Sequence, residues 1–207
     1  MAPTLRERQR QETHLLIRRT ALALAAQDGV AKLSVQAVCA EAGISPRTFF
    51  NHFRSKDEAL VPDFPAFSPD VAHAFATGAE PDLVAALEEL LGDHLARAHE
   101  QQTDLGMSPA EMMRLLEANP ELLPRALAVF SALEQRVAAL VAERTGRPAD
   151  DLFCSVAALT ATSALRAGIG TLPDAGRVDA ELLRQRVAAA FAVLRRLVDG
   201  DPPAPRT

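Results

Sequence analysis

The stretch GISPRTFFNHFRSKDEAL, residues 43–60, decides how the chain is read. Gly43 suits the left-handed position that ends a helix. Ser45 is a helix-capping residue, and Pro46 fits the first helical position, where a missing N–H costs nothing. On a helical wheel of about 100° per residue with Arg47 at zero, Asn51, Thr48 and His52 fall at about 40°, 100° and 140°. Phe49, Phe53, Pro46 and Phe50 fall at about 200°, 240°, 260° and 300°. One arc is apolar; the other carries Arg, Asn, Thr and His.

Working outward, Thr4 and Glu7 have the spacing of a capping box, and Ala/Leu-rich sequence runs on to Asp28 before Gly29. Ser34 caps a short helix over 35–42, and Ser55 with Glu58 opens another that Pro62 ends. Helix, short glycine turn, helix is the helix-turn-helix pattern, whose second helix enters the DNA major groove. The polar arc suits that task. Arg47 can donate twice to guanine, Asn51 can pair with the edge of adenine, and Thr48 can touch a thymine methyl. His52 and Lys56 suit phosphates, as do the helix starts after Ser34 and Ser55. Lys56 is one of only two lysines among 22 Lys and Arg, which marks its position out.

Charge is divided in the same way. Residues 1–60 hold nine Lys/Arg against six Asp/Glu, whereas the remainder holds thirteen against twenty-one. A basic head on an acidic body fits a nucleic-acid-binding module joined to a part that stays off nucleic acid. Arg6, Arg8 and Arg10 could extend the contacts to phosphates or a minor groove, or form ordinary helix surface.

Residues 12–60 resemble the DNA-binding domain of the TetR family of bacterial transcriptional regulators. The matching positions are Gly43, Ile44, Ser45, Thr48, Phe49, Phe50, Phe53, Ser55 and Lys56. The resemblance implies a nine- or ten-helix protein that binds palindromic operators as a dimer, usually as a repressor, with a divergent ligand-binding body. It implies base reading by Pro46, Arg47, Thr48 and Asn51. Backbone contacts would come from Ser34, Phe50, His52 and Lys56, beside the capping Ser45. The family often has tyrosine where this chain has Phe50, so one hydroxyl-to-phosphate bond would be missing.

Composition sets the fold class. Apolar residues make up 48% and charged residues 24%, with alanine, leucine, arginine and glutamate dominant. The expectation is an all-α protein of about nine helices, with a three-helix helix-turn-helix head on a larger helical body. The head covers 1–61, and a proline-punctuated linker covers 62–81 with a short helix near 70–75. A ligand-binding and dimerisation body follows over 82–200, then a disordered tail over 201–207. Body helices are expected near 82–103, 108–118, 121–145, 149–171 and 179–199, with junctions at Ser108-Pro109 and Leu172-Pro173 among others.

Leu183, Val187, Ala190, Leu194 and Leu197 recur at 4-3-4-3 spacing on the last helix, beside Phe191 and Val198. Such a seam suits packing across a subunit boundary or within one subunit. The resemblance implies a homodimer through the last two helices. Leu87, Leu91, Met112, Met113, Leu116, Phe130, Leu133 and Phe153 are the candidate lining of an apolar pocket, though each also serves as ordinary core. Residues 112–146 look like the body of regulators of the mycofactocin-associated type, which sense fatty acyl thioesters. Arg114, Arg125 and Arg166 could meet an anionic effector or water.

No histidine pair has metal-ligand spacing, and no phosphate loop, nucleophile elbow or acid–base constellation stands out, so no metal, cofactor or enzyme activity is expected. Cys39 and Cys154 lie far apart in helical patterns, and the cysteine near the recognition helix could report oxidation. The N-terminus lacks the apolar core of a signal peptide, and no run reaches the roughly 18 apolar residues of a membrane span. The expected place is the cytoplasm. The competing reading is an all-α ligand-binding protein or enzyme whose helix-turn-helix is structural only.

Overall fold

The computed structural model describes residues 4–78, 80–102, 109–172 and 178–200. The expected tail, and the junctions at Ser108 and Pro173, lie outside these. Ten α-helices are present among the described residues, in keeping with the nine or ten expected. The head contains α1 (Leu5–Asp28), α2 (Val35–Ala42), α3 (Pro46–Phe50) and α4 (Lys56–Leu60). The body contains α5 (Pro69–Thr77), α6 (Leu83–Gln102), α7 (Pro109–Ala118), α8 (Leu123–Thr145), α9 (Leu152–Gly170) and α10 (Ala180–Val198).

Local sequence explains the ends of these helices. Thr4 and Glu7 form both halves of the capping box at the start of α1. Ser34 and Ser45 each accept a backbone N–H three residues on. Gly43 ends α2 at φ 66°, a left-handed value that a side chain would strain. At α4 the expected box is shifted. Ser55 accepts from the N–H of Glu58, but the Glu58 carboxylate reaches back to the N–H of Arg54 instead of that of Ser55.

Two apolar cores form. The body core joins α5, α6, α8, α9 and α10 around Leu91, Leu133, Val137, Leu165, Leu183, Val187 and Phe191. The head core joins Ile17, Ala21, Val38, Phe49, Phe53 and Leu60 to Leu116 of α7 and to Leu122, Ala126 and Val129 around the start of α8. Head and body therefore share buried surface, which drives their association through the area removed from water. Close packing also sets one glycine. A Cβ at Gly168 would stand 2.9 Å from the carbonyl oxygen of Arg186, so glycine there lets the backbones of α9 and α10 approach.

The segment 62–81 packs on the body. Ser68 caps α5, and Phe75 is buried in the body core with Phe64 and Phe67 packed against it. Three arginines of α8 hold the backbone of residues 61–80. Arg125 Nε donates to the carbonyl of Val61 at 3.0 Å, and Arg136 donates to those of Phe64 and Pro65. Arg144 donates to the carbonyls of Phe75 and Glu80.

The last two helices divide their apolar residues between the core and the surface. Leu183 and Val187 of the 4-3-4-3 stripe, with Phe191 beside them, are buried in the subunit's own core, so that part of the stripe is intramolecular. The large exposed apolar residues there are Leu152, Phe153, Val156 and Leu159 of α9 with Val193, Leu197 and Val198 of α10. Although Ser155, Thr160, Thr162, Ser163 and Arg166 interrupt it, α9 is long and apolar enough on average to cross a membrane by length and composition. Cys154, Ala158, Ala161, Leu165 and Ile169 of α9 are nevertheless core residues.

Candidate nucleic-acid interface and effector chamber

The recognition segment is short and firmly seated. Phe49 is fully buried and Phe53 nearly so, with ring centroids 5.7 Å apart, and they anchor α3 on the head core. Pro46, Arg47 and Asn51 are exposed. Among the described residues no side-chain hydrogen bond or ion pair engages Arg47, so its guanidinium fork is uncommitted. The hydroxyl of Thr48 lies 2.9 Å from that of Ser45, which leaves its methyl as the free end. Phe50 departs from the apolar arc: it is 57% exposed, with an edge-to-face contact to Phe49.

Two residues expected to meet phosphates also have partners within the chain. Lys56 Nζ donates to the carbonyls of Val30 and Leu33, at 3.0 and 2.9 Å. It ties α4 to the 3-10 turn before α2, leaving one of its three hydrogens for other partners. His52 lines the cleft between head and body, its ring 6.0 Å from that of His14. Sequence reasoning could not foresee these internal contacts because the partners lie far away along the chain. Cys39 is buried, as is Cys154, which leaves no exposed thiol beside the recognition helix.

In the body, Met112, Met113, Leu116 and Phe130 do line one apolar chamber, together with Phe64, Leu95, Val129 and Ile169. Leu87, Leu91 and Leu133 are instead buried core, and Phe153 lies under the guanidinium of Arg147, 4.7 Å from its carbon. The chamber's free space is about 70 Å³, far below the few hundred Å³ of an ordinary small-molecule site. A larger occupant must displace side chains, and methionine is the side chain best suited to move. No group of three or more potential metal ligands occurs among the described residues.

The sequence of this head matches the family described as bacterial regulatory proteins, tetR family, over residues 17–61. The body matches the MftR C-terminal domain over residues 82–199, more than half of the chain. The protein belongs to the TetR family. Its similarity extends to the HTH-type transcriptional regulator TcmR of Streptomyces glaucescens, 32% identical over 156 residues, covering 73% of this chain and 68% of that protein. Among solved structures it is similar to the TetR family regulator PfmR from Thermus thermophilus, with a TM-score of 0.42 and 20% identity over 85% of this chain and 97% of that one. It is also similar to the multidrug binding protein EbrR complexed with imidazole, at 0.40 and 22%, over 99% and 94%. As a TetR regulator the chain is a ligand-responsive transcriptional regulator with a helix-turn-helix DNA-binding head.

Proposed function

We propose that this regulator represses transcription as a homodimer on a palindromic double-stranded operator and is released by a small apolar or amphipathic effector. The supporting observation is the uncommitted, exposed Arg47 on a capped helix that Phe49 and Phe53 hold to the core. Pro46, Arg47, Thr48 and Asn51 read bases. Ser34, Ser45, Phe50 and the last hydrogen of Lys56 meet the backbone. His52 is assigned to the cleft in place of the operator. Its role is binding rather than catalysis, and that role places the protein in the cytoplasm.

The dimer forms through the exposed apolar faces of α9 and α10, around Leu152, Val156, Leu159, Val193 and Leu197. It sets two recognition helices about 34–36 Å apart, one turn of B-DNA. The effector enters the chamber beside Met112 and Met113, and an acyl thioester is the class we favour from the body's resemblance. Because the chamber includes Val61, Pro62 and Phe64 of the segment leaving the head, filling it biases head orientation. About 3 kcal/mol of differential binding would release the operator about a hundredfold. Selection from a random duplex pool at about 150 mM salt, a regime where phosphate contacts are already weakened, tests the reading. It should return a palindrome with half-sites about one helical turn apart. Folded protein that enriches nothing, even at low salt, would overturn it.

A further inference from the structure

A second cavity, outside the apolar chamber, lies between head and body. It is an open cleft of about 720 Å³ whose walls carry Arg10, His14 and Arg18 of α1, His52 after α3, Glu58 of α4, Asp63 of the linker and Arg125 of α8. Its charges are unbalanced. Asp63 is already paired with Arg125 at 2.9 Å, and the Glu58 carboxylate accepts from the backbone N–H of Arg54. That leaves Arg10 and Arg18 facing the single Glu58 carboxylate, whose charge a backbone hydrogen bond does not cancel, with the two histidines beside them.

Arg18 is the telling residue. It is 5% exposed, yet among the described residues its guanidinium has no carboxylate partner. Nε donates to the carbonyl of Ala59 at 3.2 Å, which leaves the two terminal nitrogens without a protein partner among the described residues and open to the cleft rather than sealed from it. Burying a permanent charge without a counter-ion is costly, so such a group is kept where something anionic meets it. The neighbouring rings are arranged to join in. His14 stacks on Phe53 at 4.3 Å, with His52 beside it.

We propose that this cleft is a binding site for a phosphate or carboxylate group, held by Arg10, His14, Arg18 and His52. Its existence does not rest on the operator reading; only its consequence for DNA does. Burial first, then Arg18, His52 and Arg10, holds His14 below its ordinary range against the opposing pull of Glu58, and burial with Arg10 does the same to His52. An anion would reverse those repulsions and draw protons onto both rings, so binding should tighten as pH falls from about 8 to about 6. Two sources offer this chemistry. One is a free phosphate-bearing molecule. The other is the anionic end of an amphipath whose apolar part fills the chamber, because Pro62, Asp63 and Ala98 line both cavities.

The test is NMR titration of the histidine rings of the full chain with inorganic pyrophosphate, decanoate and decanol, no DNA being present. The site requires the pKa of His14 and His52 to rise by about one pH unit with at least one anion and with neither ring responding to decanol. A response to pyrophosphate identifies a free anion as sufficient, whereas a response to decanoate alone identifies the amphipath. Arg10→Gln, an exposed change, and His14→Gln should each weaken the responding anion about tenfold. If no anion moves either pKa, or if both variants bind it as the parent does, the proposal is wrong.

Discussion

Arg136 of α8 holds the backbone carbonyl of Phe64 through both terminal nitrogens, at 3.3 and 3.4 Å, while the ring of Phe64 lines the apolar chamber. One residue of the segment leaving the head is thus fixed to the body by its backbone and exposed to an effector by its side chain. Displacing the ring would strain those bonds, which gives the body a physical means of moving the head. Replacing Arg136 with Met removes the grip and keeps much of the packing. It should cost about 1–3 kcal/mol in urea unfolding and raise amide exchange at residues 64–67. Unchanged exchange would mean that the arginine does not hold this segment.

Lys56 and Arg47 should separate stability from recognition. Lys56→Met leaves the carbonyls of Val30 and Leu33 without their charged donor, so a loss of about 2 kcal/mol is expected. It should also flatten the salt dependence of DNA binding by about one unit per half-site, through the remaining hydrogen. Arg47→Ala, at an exposed position, should alter stability by less than about 0.5 kcal/mol. Urea titration of the two variants checks the contrast, and equal losses would refute it.

His94 makes acid stability a readout of the core. It is buried between Phe67, at 4.3 Å, and Phe64, at 5.9 Å, and no hydrogen bond to its Nε2 is present. Burial, with Arg136 and Arg97 nearby, lowers its pKa to about 4. The folded value lies below the unfolded one near 6.5, so the unfolded chain takes up the proton first. Stability is complete above about pH 6.5 and falls by about 3 kcal/mol as pH drops to about 4. His94→Leu should remove most of that slope, as unfolding free energies at pH 7 and pH 5 would reveal. A slope as steep in the variant would assign it to other groups.

Leu159→Glu and Leu197→Glu place charges on the outer faces of α9 and α10, where neither side chain is buried within the subunit. Each variant should remain folded and sediment as a monomer, with operator affinity reduced by more than tenfold because one recognition helix binds alone. Dimers of undiminished affinity would place the subunit boundary elsewhere.

The features legible in the sequence were those set by near neighbours. Ser34, Gly43, Ser45 and Pro46 act within a few residues, so caps, turn and short helices could be read directly, and the periodicity of Phe49 and Phe53 gave their seat. The intramolecular contacts of Lys56 and His52 were not legible because their partners lie on other elements: Val30 and Leu33 for one, His14 for the other. Periodicity on α10 showed an apolar stripe but not which neighbour it met; Leu183, Val187 and Phe191 met their own subunit. The chamber was half legible. Met112, Met113, Leu116 and Phe130 line it, yet nothing local distinguishes them from Leu87, Leu91 and Leu133, which complete the core.

The most direct measurement compares wild type and Arg47→Ala on a selected operator in which each half-site base is changed in turn. With Arg47 reading one base, wild type should lose about 1–3 kcal/mol when that base pair is replaced, and the variant should bind all four bases there alike. Preferences elsewhere should persist. If the variant keeps the wild-type profile at every position, the exposed arc of α3 does not read DNA.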